Sequence, residues 1–273
     1  MRTSVLLCPP TYFDVKEIKN PHMRYPIDHV LAQHQWQNLR RAFERCGLTV
    51  ETIDPVPQLE DMVFSANQVF VGHSAKHGKF IIPSRMRYAS RQKEVPHYVE
   101  WFRSHGYKVI ELNLENEFLE GHGDLLWDSE RSKIWAGYGF RSSLGGVQKF
   151  ADAMDEMGIP VSILQLVDEH CYHLDTCLAL LKPGAALIFP EAFSKESLHK
   201  IRTAIPRIYE VTREDVLRFV CNGVLAGNNY VLPHLTPAIS AALEKEGLQP
   251  LVVDTSEFEK SGGGVFCMTC FLD

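Results

Sequence analysis

A cysteine close to the C-terminus follows a run of three glycines, and its setting suits a nucleophile. The glycines at 262–264 allow backbone turns that a side chain would forbid, and they let a ligand approach closely. The apolar run at 265–272 contains Cys267 and predicts a short buried strand. The glycines would therefore form a hinge, and the thiol of Cys267 would lie on the rigid strand that follows it. A thiolate held in this way attacks electrophilic carbon.

Polar residues of complementary chemistry stand at the start of other apolar segments. A histidine such as His173 serves a cysteine as proton donor and acceptor, and this pair alone would suggest a protease. Glu120 and Asp175 change that interpretation, because ionised carboxylates accept a fork of N–H donors and match a planar guanidinium cation. A neighbouring cation also lowers the pKa of a thiol. The set predicts attack by Cys267 on a guanidinium carbon.

Each of these residues also has a purely structural interpretation. Cysteine is commonly a small core residue, and a buried histidine often only satisfies backbone groups. Glu120 and Asn67 are residue types that cap or shape turns. These alternatives weaken if the segments converge, since buried polar groups at one place need a polar ligand.

Zinc binding is a further alternative, because the chain holds a Cys-x-x-Cys and a His-x-x-His. The first consists of Cys267 and Cys270, and the second of His170 and His173. In an extended strand, positions three apart point to opposite faces, so only one member of each pair would reach a common centre. A redox dithiol would place its Cys-x-x-Cys at the start of a helix, and the residues after Cys270 favour a strand. The sequence therefore predicts no metal and no cofactor.

A unit of hairpin, helix and strand repeats along the chain and would bring these residues together. Apolar, β-prone runs joined by Gly, Asn or Pro turns predict four internal hairpins, and residues 5–8 with 265–272 predict a fifth. Helical periodicity at 27–46, 88–105 and 235–246 ends each time before a glycine. The unit recurs about every fifty residues, which is typical of a closed or stacked array, with an open α/β sandwich as the alternative. The internal hairpins are predicted at 61–83, 118–140, 173–190 and 219–233.

Composition narrows the class of protein. The 273 residues are 45% hydrophobic and 23% charged, with a formal net charge of −6 and no basic cluster, which argues against nucleic acid as a partner. No apolar run has the length of a signal peptide core or a membrane span. The seven scattered cysteines do not suggest a disulfide framework. We expect one catalytic domain over residues 1–273, located in the cytoplasm, with a small-molecule substrate; a homo-oligomer is left open.

The motifs as a set resemble those of the guanidino-group-modifying superfamily, which includes arginine deiminases, dimethylarginine dimethylaminohydrolases, amidinotransferases and arginine dihydrolases. The resemblance runs nearly from end to end of the chain. It implies an α/β fold of the pentein type, a five-bladed α/β propeller of ββαβ units around a central active-site channel. The matching segments are CPPTYFDV at 8–15, NPHM at 20–23, DMVFSAN at 61–67, EGHGD at 120–124, WAGYGFRS at 135–142, YHLDT at 172–176 and GGGVFCMT at 262–269.

The resemblance also implies roles for individual residues. Cys267 matches the nucleophile and His173 the general acid and base, while Glu120 matches the carboxylate that holds the guanidinium, with Asp175 beside it. Arginine suits the bidentate binding of an α-carboxylate. The residues expected to bind the rest of the substrate are Arg141, Arg85, Asn20, Asn67 and Phe64.

Departures from the family pattern bear on the substrate. Deiminases and dimethylaminohydrolases usually carry an aspartate where this chain has Asn67, and the Phe-Ser-Ala-Asn form resembles the arginine dihydrolase branch. Such enzymes convert arginine to ornithine, carbon dioxide and two ammonia. His122 and Phe266 are two further departures that could alter the substrate. The alternatives are a citrulline-forming deiminase or dimethylaminohydrolase, an amidinotransferase, and an arginine-binding protein with a vestigial site.

Overall fold

The strands of this α/β protein form small sheets of one common construction. The computed structural model describes residues 3–128, 130 and 132–273, and within them the strands make five three-stranded sheets. In each sheet a central strand pairs antiparallel with one neighbour and parallel with the other. The strands are β1 (Ser4–Leu7), β2 (Thr49–Thr52), β3 (Val69–Ser74), β4 (Gly78–Pro83), β5 (Lys108–Val109), β6 (Leu125–Trp127), β7 (Ile134–Tyr138), β8 (Val161–Gln165), β9 (Leu178–Leu180), β10 (Ala185–Ile188), β11 (Arg207–Glu210), β12 (Val224–Ala226), β13 (Asn229–Leu232), β14 (Gln249–Val252) and β15 (Cys270–Phe271).

The helices lie mainly between the second and third strands of each sheet, as the repeat predicts. This order gives a parallel third strand, because a parallel connection needs a crossover element. Three short 3₁₀ helices cover Glu169–Cys171, Leu174–Thr176 and Pro190–Ala192. The α-helices are α1 (His29–Arg45), α2 (Ala89–Gln92), α3 (Val95–Ser104), α4 (Gly121–Asp124), α5 (Leu144–Asp155), α6 (Lys195–Ala204), α7 (Arg213–Leu217), α8 (Pro237–Lys245) and α9 (Ser256–Glu259).

The predicted pairing of the first and last strands is confirmed. β1 pairs antiparallel with β15, with Leu6 opposite Cys270, and parallel with β2. This pairing joins the two ends of the chain in one sheet of the order β15-β1-β2. It also places the Cys267 segment against the start of the chain.

The helix α1 shows how the local sequence sets the elements. Asp28 caps its N-terminus by accepting a hydrogen bond from the N–H of Leu31 at 3.0 Å. Its buried face carries Trp36 and Phe43, which pack in one core cluster with residues of β1. Gly47 follows the helix with a φ of 81°, a left-handed conformation that glycine adopts without strain. The predicted helix at 27–46 is therefore nearly correct.

Several sequence-based boundaries were wrong. The first strand of the 61–83 hairpin begins only at Val69, because residues 61–68 form turns that bury polar side chains. The helix predicted at 88–105 is divided into α2 and α3, and Pro96 lies in the first turn of the second part. Cys267 lies in a turn just before β15 and not in a strand. Within the described residues, no helix is long and apolar enough to cross a membrane.

Candidate active site

A narrow cleft brings together several of the residues that the sequence singled out. It is lined by Asn20, Phe64, Asn67, Arg141 and Cys267. Glu120 and Asp175 do not line the cleft but bond directly to Arg141 and Cys267, which do, and His173 bonds in turn to Glu120. The other lining residues are Lys19, Met23, Asp61, Arg91, Tyr172 and Ser261.

The Cys267 turn, defined here as residues 262–269, needs its glycines for space. A Cβ on Gly263 would lie 2.5 Å from the ring of Phe64 and 2.9 Å from Cβ of Cys267. Gly262 has a φ of 93°, which favours glycine, and its carbonyl accepts the hydroxyl of Tyr172. The glycines therefore allow Phe64 and Asn20 to pack closely against this turn, and the close approach of a ligand stays a prediction.

The sulfur of Cys267 is buried against an acid and an amide. Its Sγ lies 3.2 Å from Oδ2 of Asp175 and 3.3 Å from Nδ2 of Asn222. Burial raises the pKa of the Cys267 thiol well above its ordinary value, and the charge of Asp175 raises it further. Burial also raises the pKa of the Asp175 carboxyl to about 7, although the charge of His173 and the thiol hydrogen bond oppose this. The resting pair therefore favours a protonated thiol.

The imidazole of His173 is fixed by Glu120. Its Nε2 lies 2.8 Å from Oε2 of Glu120, while Nδ1 is buried with no hydrogen-bond partner in the described part of the chain. Burial would raise the pKa of Glu120, but Arg141 and His173 outweigh it and hold this pKa well below its usual range. Because ionised Glu120 can only accept, Nε2 carries the proton and the free Nδ1 is left to act as a base.

Glu120 does not have the contacts expected of a substrate ligand. Its Oε1 accepts the backbone N–H of Arg87 at 2.9 Å, and its Oε2 accepts both His173 and Nη1 of Arg141, the latter at 3.0 Å. Its oxygens are therefore occupied by protein groups. In this geometry Glu120 contacts His173 and Arg141, and its expected contact with a guanidinium stays a prediction.

Asp175 has the free oxygen that Glu120 lacks. Its Oδ2 faces the Cys267 sulfur, whereas Oδ1 is buried with no partner among the residues described. A buried carboxylate oxygen without a donor is costly and is satisfied by a ligand that carries N–H groups. Asp175 is thus the better-placed carboxylate for a guanidinium next to the sulfur.

Arg141 lies in the cleft between two aromatic rings. Its guanidinium carbon is 4.9 Å from the ring centre of Tyr88 and 4.6 Å from that of Tyr172. One nitrogen donates to Glu120, and another donates to the carbonyl of Lys19 at 3.2 Å. These two bonds leave further N–H donors of Arg141 for an anion, which agrees with its expected position near the substrate.

Arg85 is not part of the cleft. It forms an isolated bridge with Leu119 and lines a separate surface groove together with Val99 and Glu100. The cleft contains Arg91 instead, which the sequence analysis missed. Three arginines lie at positions 85, 87 and 91, and the local pattern does not distinguish the buried one.

Arg91 fixes the orientation of Asn67. Its Nη1 donates to Oδ1 of Asn67 at 2.9 Å, while its Nη2 forms an ion pair with Glu94 at 3.0 Å. The amide nitrogen of Asn67 is therefore directed away from Arg91, and it is buried with no partner within the described ranges. A Cβ on Gly123 would lie 2.5 Å from this nitrogen and 3.0 Å from the ring of His173, so Asn67 and His173 approach each other across a glycine.

Asn20 and Phe64 complete the wall of the cleft. Asn20 donates from Nδ2 to the carbonyl of Ser261 at 3.0 Å and accepts the N–H of His22 at the same distance. Phe64 packs edge-on against Phe13 with ring centres 5.8 Å apart. Both residues line the cleft, and their part in binding the substrate stays a prediction.

The two departures His122 and Phe266 lie elsewhere. Nε2 of His122 accepts the N–H of Val71 at 3.0 Å, and Nδ1 donates to the carbonyl of Leu125 at 3.0 Å. Both His122 and Phe266 line a different cavity. Among residues 3–128, 130 and 132–273, no group of three or more His, Cys, Asp or Glu side chains is placed to hold a metal ion.

We expect the Asp175→Asn variant to be more stable than the wild type at pH 8. The carboxyl has a folded pKa of about 7 against an ordinary 3.8, so between about pH 4 and pH 7 the folded state keeps a proton that the unfolded chain releases. The contribution of this carboxyl to the free energy of unfolding is therefore fully present below pH 4. It falls by about 1.4 kcal/mol for each pH unit between pH 4 and pH 7. The asparagine removes that loss.

Urea unfolding at pH 5 and pH 8 measures this effect. The free-energy difference between variant and wild type should grow with pH, reaching several kcal/mol at pH 8. The exposed Asp155→Asn variant, with the same change in charge, serves as the control and should follow the wild type. A difference for Asp175→Asn that stays constant between the two pH values would contradict the raised pKa.

The fold and the cleft define a class of protein, and comparisons with known proteins agree. The α/β fold is that of the pentein enzymes, and the chain is a guanidino-modifying enzyme, a hydrolase of C–N bonds in linear amidines. More narrowly, it belongs to the family described as N,N dimethylarginine dimethylhydrolase, eukaryotic, which matches residues 17–272.

Three known proteins show the range of this similarity. The chain is 36% identical to the N(G),N(G)-dimethylarginine dimethylaminohydrolase of Mycobacterium tuberculosis over 96% of its length and 83% of the relative's. It is 36% identical to the bifunctional arginine dihydrolase/ornithine cyclodeaminase AgrE of Nostoc, covering 98% of this chain but only 37% of AgrE. The solved N-terminal domain of ArgZ, a cyanobacterial arginine dihydrolase, has the same fold, with a TM-score of 0.92 at 32% identity. The match covers 98% of this chain and 97% of that one, and the structure is of a cysteine-to-serine variant with bound substrate.

Proposed function

We propose that the chain is an arginine dihydrolase, which converts arginine and two water molecules to ornithine, carbon dioxide and two ammonia. Residues 1–273 would act as one catalytic domain, without a cofactor and with no nucleic-acid partner. We propose a cytoplasmic location, for which the seven free cysteines are the supporting observation. Likeness to the ArgZ domain supports the activity, since that protein is an arginine dihydrolase.

We further propose that the five sheets are the blades of a propeller around one channel. Residues from β3, β6, β9, β12 and β15 all line a single second cavity, which supports a common axis. That cavity and the Cys267 cleft would then be the two ends of the channel. The small sheets have the ββαβ order that such blades require.

The substrate would lie with its guanidinium between Asp175 and the sulfur. The unpaired Oδ1 of Asp175 would accept N–H groups of the cation, and Arg141 would bind the α-carboxylate at the other end of the cleft. Bound cation would offset the charge of Asp175, which otherwise raises the pKa of Cys267. Substrate binding thereby favours the thiolate that attacks it.

The first hydrolysis uses the free nitrogen of His173. The thiol proton of Cys267 passes to Nδ1 of His173 as the sulfur adds to the guanidinium carbon. The imidazole then gives this proton to a terminal nitrogen, whose C–N bond breaks so that ammonia leaves. The imidazole then removes a proton from water, which attacks the thiouronium carbon and releases the C–S bond. The product at this point is citrulline.

The second hydrolysis repeats the attack on the neutral ureido group. Sulfur adds to the carbonyl carbon, and ammonia leaves to form a thiocarbamate. Water then cleaves the C–S bond, and the resulting carbamate loses carbon dioxide to give ornithine. This step needs a hydrogen-bond donor near the ureido oxygen, since negative charge develops there.

Asn67 is the observation that carries the dihydrolase proposal. Because Arg91 holds its oxygen, Asn67, which lines the cleft, has its unpaired N–H groups next to His173. A guanidinium has no acceptor for such a donor, whereas the ureido oxygen of citrulline does. An aspartate here would favour the cation and repel the developing oxyanion.

The test is a product assay with separate detection of ammonia, citrulline, ornithine and dimethylamine. We expect the wild type to give two ammonia and one ornithine per arginine and to hydrolyse added citrulline. The Asn67→Asp variant should accumulate citrulline, with turnover of citrulline reduced on the order of 100-fold, as for loss of one oxyanion donor. The exposed Asn113→Asp variant controls for the charge change.

Dimethylaminohydrolase activity is the second candidate, favoured by the family match and by the Mycobacterium tuberculosis relative. That enzyme class releases dimethylamine and citrulline in a single hydrolysis. Release of dimethylamine from dimethylarginine, with citrulline that persists, would replace the dihydrolase proposal by this one. Transfer of the amidino group to an amine, without ammonia, would instead indicate an amidinotransferase.

A further inference from the structure

Asn222 connects the Cys267 turn to the rest of the site. It lies just before β12 and its side chain is fully buried. Its Oδ1 accepts the backbone N–H of Gly264 at 2.9 Å and that of Cys267 at 3.2 Å. Its backbone carbonyl accepts the N–H of Phe266 at 2.9 Å. Three N–H groups of one short turn therefore end on this residue.

These contacts leave the amide with one possible orientation. A flipped amide would place its NH₂ group against two backbone N–H groups, which is a repulsive arrangement. With Oδ1 held in this way, Nδ2 points at Sγ of Cys267 at 3.3 Å and at the carbonyl of Asp175 at 3.3 Å. Asn222 thus presents an N–H donor to the sulfur from a buried position that its hydrogen bonds hold in place.

On the proposed covalent mechanism, we propose that Asn222 is a catalytic residue that positions the sulfur of Cys267 and stabilises its thiolate through the Nδ2–H donor. A donor aimed at a buried anion is worth more than the same bond in water, because it needs no reorganisation when the charge forms. The donor lowers the pKa of the Cys267 thiol, whereas the charge of Asp175, whose Oδ2 contacts the same sulfur, raises it. Tyr172 and Arg141, which line the same cleft, and His173, whose charge acts on Asp175, are further ionisable groups at the site.

The contacts of the sulfur are expected to differ before and after the substrate binds. In the free enzyme, the sulfur lies between an acceptor, Asp175, and a donor, Asn222. When a cation binds to Asp175, the acceptor is engaged and the donor remains. Asn222 would therefore hold the thiolate during attack and again when the C–S bond breaks, since sulfur leaves as an anion in that step.

The test compares Asn222→Asp and Asn222→Ala with the wild type. The first keeps an acceptor for Gly264 and Cys267 but replaces the donor by an oxygen, and the second removes both. The alkylation midpoint is defined as the pH at which iodoacetamide modifies half of Cys267 in a fixed time without substrate, measured by peptide mass spectrometry. Because only the thiolate reacts, this midpoint moves with the thiol pKa even when that pKa lies above the range studied. Steady-state kinetics with arginine report kcat and KM separately.

We expect the alkylation midpoint of N222D to rise by about one pH unit or more and kcat to fall on the order of 100-fold, with a smaller change in KM. N222A should shift less, because it loses the donor without adding charge. Asn113→Asp, an exposed change of the same kind, should leave both readouts unchanged. If N222D does not fold, N222A, which has no side-chain donor, is judged by the same midpoint.

An unchanged alkylation midpoint in the folded variants would overturn the inference, because a purely structural role would not shift the thiol titration. The result is distinguishable from failure of the proposed function. If the wild type does not hydrolyse arginine but the midpoint shifts in N222D, the function is wrong and the role of Asn222 stands. If arginine is hydrolysed and the midpoint stays constant, the proposed function stands and the proposed role of Asn222 is wrong.

Discussion

Replacing Cys267 by serine is expected to abolish hydrolysis of arginine while the protein stays folded. A serine hydroxyl has a far higher pKa than a thiol, and no base in contact with Cys267 would ionise it, since Asp175 is a weak carboxylate base. Loss of a nucleophile typically lowers kcat by about 10⁴-fold or more. The exchange is nearly isosteric, so the turn at 262–269 should keep its hydrogen bonds.

Ammonia release and thermal unfolding measure this prediction together. The control is Cys46→Ser, which makes the same atomic exchange at a partly exposed thiol that does not line the cleft. It should retain full activity. Ammonia release by the Cys267 variant at the wild-type rate would rule out covalent catalysis by this sulfur. A serine enzyme that binds arginine without turnover would agree with it.

The second large effect is expected for Glu120→Gln, and it concerns both stability and rate. The glutamate is buried and bonds to His173, to Arg141 and to the N–H of Arg87. A glutamine leaves the buried guanidinium of Arg141 without its counter-charge, which should cost on the order of 3 kcal/mol. It also allows the other tautomer of His173, so kcat should fall about 10²- to 10⁴-fold.

Whether the Glu120→Gln change affects kcat or KM distinguishes two roles of Glu120. A residue that orients the imidazole should affect kcat, whereas a carboxylate that holds the substrate in all states should mainly raise KM. The control is Glu100→Gln, which breaks an exposed ion pair with Arg103 and should change stability by less than about 0.5 kcal/mol. A large rise in KM at constant kcat would restore the substrate-binding role that the sequence suggested.

Much of the fold was predictable because its signals are local. Alternating apolar runs with turns located the hairpins, and glycines such as Gly47 marked helix ends. The helices α5 and α6 were not predicted, because α5 has two glycines in its first turn and α6 buries only Ser197 and Ile201, so both give a weak helical signal. Residues 61–68 were assigned to a strand because they are apolar in part, yet they form the turns that carry Phe64 and Asn67 into the cleft.

The sequence alone determined the chemical types at the site: a thiol after glycines, an imidazole, carboxylates and an amide in recognisable motifs. Only the tertiary structure decided which groups pair. Glu120 meets a histidine 53 residues away, and Cys267 meets an aspartate 92 residues away. Such contacts depend on how sheets pack, and no local pattern encodes them. For the same reason only the structure shows that Arg91, and not Arg85, lines the cleft. It also shows that Asn222 contacts the sulfur of Cys267.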